Sequence, residues 1–135
     1  MLLRLDFTYV KILNVCFLIK SCLMLKCILQ RLFATDPESN AIVLEEINIL
    51  KKLSGHPNII QYLAAASIDK SSSSHGKNEY LILTELCKGS LVDVLSNRTT
   101  PFSPDTVCKI FWQICKAVQH MHSQVPPVIH RDLKV

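Results

Sequence analysis

Two short phrases, Asp36-Pro37-Glu38 and Ser103-Pro104-Asp105, constrain the fold of this chain more than any other feature. Each sets a capping side chain first, then proline at the first helical position, then an acid in the first turn. A capping oxygen takes up free N–H groups at a helix start, proline has no N–H to leave unpaired there, and the acid meets the positive end of the helix dipole. Both phrases therefore predict helices. After the first, apolar residues at 42, 43, 47, 50 and 53 form an amphipathic stripe, and Ser54-Gly55 offers a left-handed stop. After the second, Val107, Ile110, Phe111, Ile114, Val118 and Met121 recur at helical spacing and predict a buried face, until Pro126-Pro127 blocks continuation.

Residues 59–68 and 79–84 lie between these helices and read as apolar strands. The polar stretch 69–78, with Ser71 to Ser74 and Gly76, gives no local reason to order. The two strands are expected to pair antiparallel across it. Residues 90–96 read as a short helix. The class implied is α+β.

At 135 residues the chain suits one domain with a modest core. Apolar residues make up 49% and charged residues 19%, and the net charge of +4 is spread without a basic run, which argues against a nucleic-acid surface. The six cysteines, at 16, 22, 27, 87, 108 and 115, form no Cys-x-x-Cys pair and have no histidine at zinc-finger spacing, so no metal site is expected and reduced thiols are the simplest reading. Cys108 and Cys115, seven apart on one helix, are expected to line the core. Asn97-Arg98-Thr99 matches a glycosylation acceptor, which carries meaning only in a secreted chain.

Residues 1–30 are Leu, Ile and Cys-rich, with neither helical nor strand periodicity sustained. Lysines at 11, 20 and 26 break any apolar run long enough to span a membrane, and no cleavage site follows cleanly. Cys27-Ile28-Leu29-Gln30 can be encoded by a pyrimidine-rich tract ending in CAG, the form of an intron acceptor. Lys134-Val135 can be encoded by AAG-GT, the form of a donor. The expectation is a non-family segment 1–30, read as translated intron, and a partial domain 31–135 truncated at both ends.

The last residues are His130-Arg131-Asp132-Leu133-Lys134-Val135. Together with the helix carrying Glu46, the strand pair and the long helix before it, this resembles a eukaryotic protein kinase from its C-helix to the start of its catalytic loop. Three phrases narrow the resemblance: Lys51-Lys52-Leu53-Ser54-Gly55-His56-Pro57-Asn58-Ile59, Leu83-Thr84-Glu85-Leu86-Cys87-Lys88-Gly89, and Ala117-Val118-Gln119-His120-Met121-His122. They are similar to the Numb-associated kinase family, and most to its cyclin-G-associated (auxilin-type) branch of serine/threonine kinases acting on clathrin adaptors. The fold so implied is a partial kinase fold: part of the small lobe with its C-helix and antiparallel strands, the hinge, and the D and E helices of the large lobe.

The resemblance assigns roles by position. Asp132 matches the base that accepts the substrate hydroxyl proton, and Lys134 the lysine directed at the γ-phosphate. His130 and Arg131 are scaffold. Glu46 matches the C-helix glutamate that pairs with a strand lysine, and Leu50 the hydrophobic spine. Thr84 matches the gatekeeper, and Glu85 and Cys87 offer backbone groups to adenine. Counting back from Arg31-Leu32, the place of the ATP-anchoring lysine is held by Gln30, which supplies no charge. Lys26, four residues earlier on a strand, is about 13 Å away and does not substitute. The only glycines are Gly55, Gly76 and Gly89, so no Gly-rich phosphate loop is present.

The expected cofactors are ATP and Mg2+ for the complete parent, and none for this chain, since the Asn and Asp ligands of magnesium would follow Val135. The expected partners are clathrin adaptor subunits as protein substrates, in the cytoplasm and at clathrin-coated vesicles, with no nucleic acid. Two further readings stand beside the enzyme. One is a pseudokinase-like binding module. The other is a truncated product without function, whose long helix exposes Val107, Ile110, Phe111 and Ile114.

Overall fold

A computed structural model describes residues 27–87 and 89–133. The sequence-based readings on residues 1–26, Lys88, Lys134 and Val135 fall outside the described residues.

Helix α1 (Pro37–Leu53) begins as its sequence dictates: the Asp36 carboxylate accepts the Ser39 N–H at 2.9 Å, and the Ser39 hydroxyl oxygen accepts the Asp36 N–H at 3.2 Å. This reciprocal capping box holds the Asp36 carboxyl below its ordinary range. Ser54 closes the helix, and Gly55 follows at φ +97°, a conformation that disfavours residues with a Cβ. The buried face is Val43, Glu46, Ile49, Leu50 and Leu53. It is rotated from the expected stripe, because Ile42 faces solvent and Ile49 faces the core.

Three strands form one antiparallel sheet: β1 (Cys27–Ala34), β2 (Tyr62–Ile68) and β3 (Asn78–Glu85), in the order β1-β3-β2. The hairpin of β2 and β3 agrees with expectation, with β2 starting at Tyr62 and carrying a bulge between Tyr62 and Ala64. β1 is the strand that alternation did not announce. It pairs with β3 in unbroken register from Cys27 opposite Glu85 to Ala34 opposite Asn78, passing through residue 30 without a break.

The connector 69–77 is ordered by its own side chains, contrary to the expectation. Asp69 accepts the Ser71 N–H at 2.9 Å, and Asn78 Oδ1 accepts the Lys70 N–H at 2.8 Å. The loop closes over Glu79, which is 1% exposed. The Glu79 carboxylate accepts from Ser73, from Arg31 on β1 and from His75. The Ser73 hydroxyl and then the Arg31 guanidinium hold its pKa down at about 2.

Helix α2 (Leu91–Ser96) is capped by Ser90, and α3 (Pro104–His122) by Ser103, whose Oγ accepts the Thr106 N–H. On α3 the structure corrects several expectations. Ile110, Ala117 and Met121 are buried, and Ile114 and Val118 are half-buried. Val107, Phe111 and Trp112 are exposed, as are Cys108 and Cys115, which do not line a core. Their exposure follows from position: among the described residues, α1 and the α1–β2 loop cover α3 along one side.

The core lies in three adjoining clusters. Ile49 and Leu53 of α1 meet Ile59, then Ala117 and Met121 of α3, then Val128. Leu50, Ile60 and Ile82 form the second, and Ala34, Val43 and Tyr80 the third. Polar ties fix the same joints. Asn40 Oδ1 accepts from Tyr80 Oη and Asn78 Nδ2, each at 3.0 Å. Asn58 Nδ2 donates to the Gln113 carbonyl at 3.1 Å, and Lys52 Nζ to the Val125 carbonyl at 2.8 Å. No helix among the described residues is long and apolar enough to cross a membrane.

Candidate active site

α1 presents Glu46 and, one turn on, Leu50 toward the sheet, since residues four apart share a helix face. Leu50 packs on Ile60 and Ile82. Glu46 is 6% exposed and has no hydrogen-bond or ion-pair partner among the described residues. Burial without compensation pushes its carboxyl up to about 7. A carboxylate in an apolar stripe is either a solvated edge residue or a buried acid awaiting a cation, and Glu46 is the buried acid. Gln30 is half-buried and, by strand alternation, lies on the same side of β1 as Leu32 and Ala34. Leu32 and Ile47 of α1 both pack against the Leu50–Ile60–Ile82 and Ala34–Val43–Tyr80 clusters, so this side of β1 is the side α1 covers. Gln30 and Glu46 are not hydrogen-bonded to each other.

β3 ends in the segment joining the sheet to the helices. Thr84 is buried at 6% exposure, with Ile28 opposite on β1 and Tyr62 on β2. Glu85 is bound twice to Gln61: its N–H donates to the Gln61 carbonyl at 3.0 Å, and its carboxylate accepts the Gln61 N–H at 2.8 Å. Its side chain and N–H are thereby committed to the loop before β2. Cys87 packs against the Leu50–Ile60–Ile82 cluster. It is disulfide-bonded, which corrects the reading of all six cysteines as reduced thiols, while Cys27, Cys108 and Cys115 are free.

Beside this segment is an open cavity of about 220 Å³, bounded by Ile28, Ile60, the Glu85–Cys87 backbone, Gly89, Ser90 and Asp93. It is smaller than the roughly 300 Å³ at the low end of ordinary ligand sites. Ile28, Ile60 and Leu86 give it apolar walls, and Glu85, Ser90 and Asp93 bring polar groups to it. Ser90 and Asp93, which sequence reasoning passed over, line it. Asp93 Oδ2 accepts from the Ser90 N–H at 2.9 Å and from Ser90 Oγ at 2.6 Å. The capping pattern of α2 was the signal that could have located them.

α3 leads to the other end of the site. Val128, fully buried, donates its N–H to the Met121 carbonyl at 3.0 Å and ties the chain back to the helix. His130 is buried, and its Nδ1 accepts the Asp132 N–H at 3.2 Å. Arg131 takes a positive φ of 65°, an uncommon and mildly strained conformation for a residue with a long side chain. The outcome is a sharp turn around the buried imidazole that leaves Asp132 exposed at its apex. An exposed carboxylate on a fixed turn can accept a proton from an incoming hydroxyl.

The chemistry of the donor set is uneven. The hinge cavity joins apolar and polar side chains but is open and smaller than ordinary ligand sites. The phosphate end does not fit: Gln30 is neutral, Glu46 has no cation, and among the described residues no three His, Cys, Asp or Glu side chains converge to hold a metal. No step through bound Mg-ATP is therefore derived for these residues.

A three-stranded sheet with one covering helix, a hinge cavity and a His-Arg-Asp turn after a long helix defines part of a protein kinase domain. The family model for the protein kinase domain matches residues 19–135, and the chain belongs to that family. It is 38% identical over 111 residues to a probable serine/threonine-protein kinase of Dictyostelium discoideum, covering 79% of this chain and 10% of that protein. It is 34% identical over 110 residues to the serine/threonine-protein kinase ppk30 of Schizosaccharomyces pombe, covering 80% of this chain and 11% of that protein. A second Dictyostelium discoideum probable serine/threonine-protein kinase is 34% identical, with 79% and 14% covered. The chain thus spans 10 to 14% of the length of these relatives.

Proposed function

We propose that this chain is part of a serine/threonine protein kinase whose whole protein transfers the γ-phosphoryl of ATP to a protein hydroxyl, with Asp132 as the base. The observation that carries the reading is the turn at the end of α3, where buried His130 and left-handed Arg131 set Asp132 outward. Lys134 is assigned to the γ-phosphate, Glu46 and Gln30 to the phosphate-anchoring positions, Leu50 to the spine beneath them, and Thr84, Glu85 and Cys87 to the adenine edge. The proposed family is the Numb-associated kinases, in the auxilin-type branch, with clathrin adaptors as substrates in the cytoplasm. The support is the wording of residues 51–59, 83–89 and 117–122.

By itself the 135-residue chain is proposed to be inactive. The neutral Gln30, and Glu46 without a partner among the described residues, favour that reading, and leave a pseudokinase-like binding role as the second possibility. The division at residue 30 is a question for the transcript, because β1 runs through it: reads joining Arg31 to a Gly-rich upstream exon support an intron origin for residues 1–30, and abundant mature message contiguous through them opposes it. A thermal-shift titration of the chain with Mg-ATP tests inactivity. The expected result is no stabilisation at sub-millimolar nucleotide, and a clear rise in melting temperature there overturns it. In the whole protein, Asp132→Asn is expected to lower phosphoryl transfer by roughly 100- to 10,000-fold, the usual contribution of a positioned base.

A further inference from the structure

The α1–β2 loop touches α3 through two imidazoles. The rings of His56 and His120 stack with centroids 4.7 Å apart and planes 23° from parallel. Their surroundings fix them from both sides. His56 Nδ1 accepts the Asn58 N–H at 3.2 Å, and Asn58 in turn holds the Gln113 carbonyl of α3. Gln124 Nε2 donates to the His120 carbonyl at 3.0 Å and lies 3.5 Å from His120 Nε2. The charged group facing the pair from α3 is Lys116, one turn before His120; Lys52 of α1 belongs to the same joint and donates to the Val125 carbonyl. Neither ring has a carboxylate partner among the described residues, so nothing there offsets added positive charge.

We propose that His56 and His120 form a proton-sensitive joint that holds α1 and its loop against α3 while the pair carries at most one proton. Stacked neutral imidazoles attract through their faces. Two imidazolium rings at this separation, with Lys116 beside them, repel, and the only relief is for the loop to move off the helix. An acceptor role for Nδ1 toward the Asn58 N–H also requires that nitrogen to be unprotonated, so protonating His56 breaks a hydrogen bond in the loop as well as adding charge. Desolvation, then His120 and Lys116, depress the His56 pKa, in agreement with this geometry. His56 stability is therefore present above the ordinary histidine value of 6.5 and is lost as pH falls from there through the lowered folded value. The joint connects the helix carrying Glu46 to the helix that leads to His130 and Asp132, so acidification uncouples the two halves of the candidate site.

The test follows the histidine Hε1 resonances of the 135-residue chain by NMR from pH 8 to 5, with the five histidines assigned by single substitutions. The His56 midpoint is expected below 6.5, and His120→Gln is expected to move it upward. Lys116→Gln, at a half-buried position of α3, is expected to move it in the same direction and serves if the first variant does not fold. On going from pH 7.5 to 5.5 the melting temperature of the wild type should drop relative to that of either variant; the contribution of Glu46, opposite in sign, is common to all three chains and cancels in the difference. A wild-type His56 midpoint at or above 6.5, or a midpoint unmoved by both substitutions, overturns the proposal.

Discussion

Replacing Glu46 by Gln tests the claim that α1 carries a buried acid with no cation. Glu46 is 6% exposed, and burial moves its carboxyl from 4.5 to about 7. Below about pH 4.5 folded and unfolded chains both hold the proton, and the position costs little. As pH rises through 7 the folded chain must keep a buried carboxylate that the unfolded chain exposes freely, so stability falls. At about 1.4 kcal/mol for each tenfold change in proton affinity, the penalty at pH 8 reaches roughly 3 kcal/mol; screening by water brings the measurable part to about 2 kcal/mol. Gln has the same shape and no charge. Glu46→Gln is therefore expected to raise the melting temperature at pH 8 by on the order of 10 °C, and by far less at pH 5. The assay is differential scanning calorimetry of both chains at matched ionic strength across this range. An equal gap at pH 5 and pH 8, or no gap at pH 8, would show that a cation or ordered solvent already satisfies this carboxylate.

Gln30→Lys is expected to supply the missing cation, so that the wild-type loss of stability between pH 5 and 8 disappears when followed by the same calorimetry. Glu79→Gln acts with the opposite sign: the Glu79 carboxyl is held near 2, so its contribution is present above about pH 4.5 and lost as pH falls toward 2. That variant should melt lower at pH 7 and converge on the wild type near pH 2.5. Leu53→Ala opens a void where α1 meets α3, at a side chain with 0% exposure. Urea unfolding should show a loss of about 2–5 kcal/mol, and a loss below 1 kcal/mol would place this contact outside the main core.

The helices were legible in the sequence because capping is a local matter. Asp36 with Ser39, Ser90 with Asp93, and Ser103 with Thr106 each close within three residues. β1 was not legible, for two reasons. Its apolar residues occupy both sides, with Ile28, Leu29 and Phe33 exposed, so no alternation appears. Its only strand partner among the described elements is β3, whose first residue is Asn78. The Glu79 cluster failed to show for a similar reason: it gathers Arg31, Ser73 and His75 from two separate segments. The buried stripe of α3 was half right, because periodicity identifies a helix face but not how much of it a neighbour covers. At the site, the sequence marked Glu46, Thr84 and Asp132 as positions. It did not show that Glu85 is committed to Gln61, or that Ser90 and Asp93 wall the cavity, since both depend on how the chain turns after β3.

The sheet order β1-β3-β2 sets a schedule for assembly. Among the described strands β3 leaves the ribosome last and is the one with two described neighbours, so the β1–β3 and β2–β3 hydrogen bonds wait for it. Until Glu85 has been synthesised, the edge of β1 that faces β3 lacks its full partner, with the exposed side chains of Ile28, Leu29 and Phe33 on the same strand. A pause in translation before residue 78 would lengthen the time for which this edge waits.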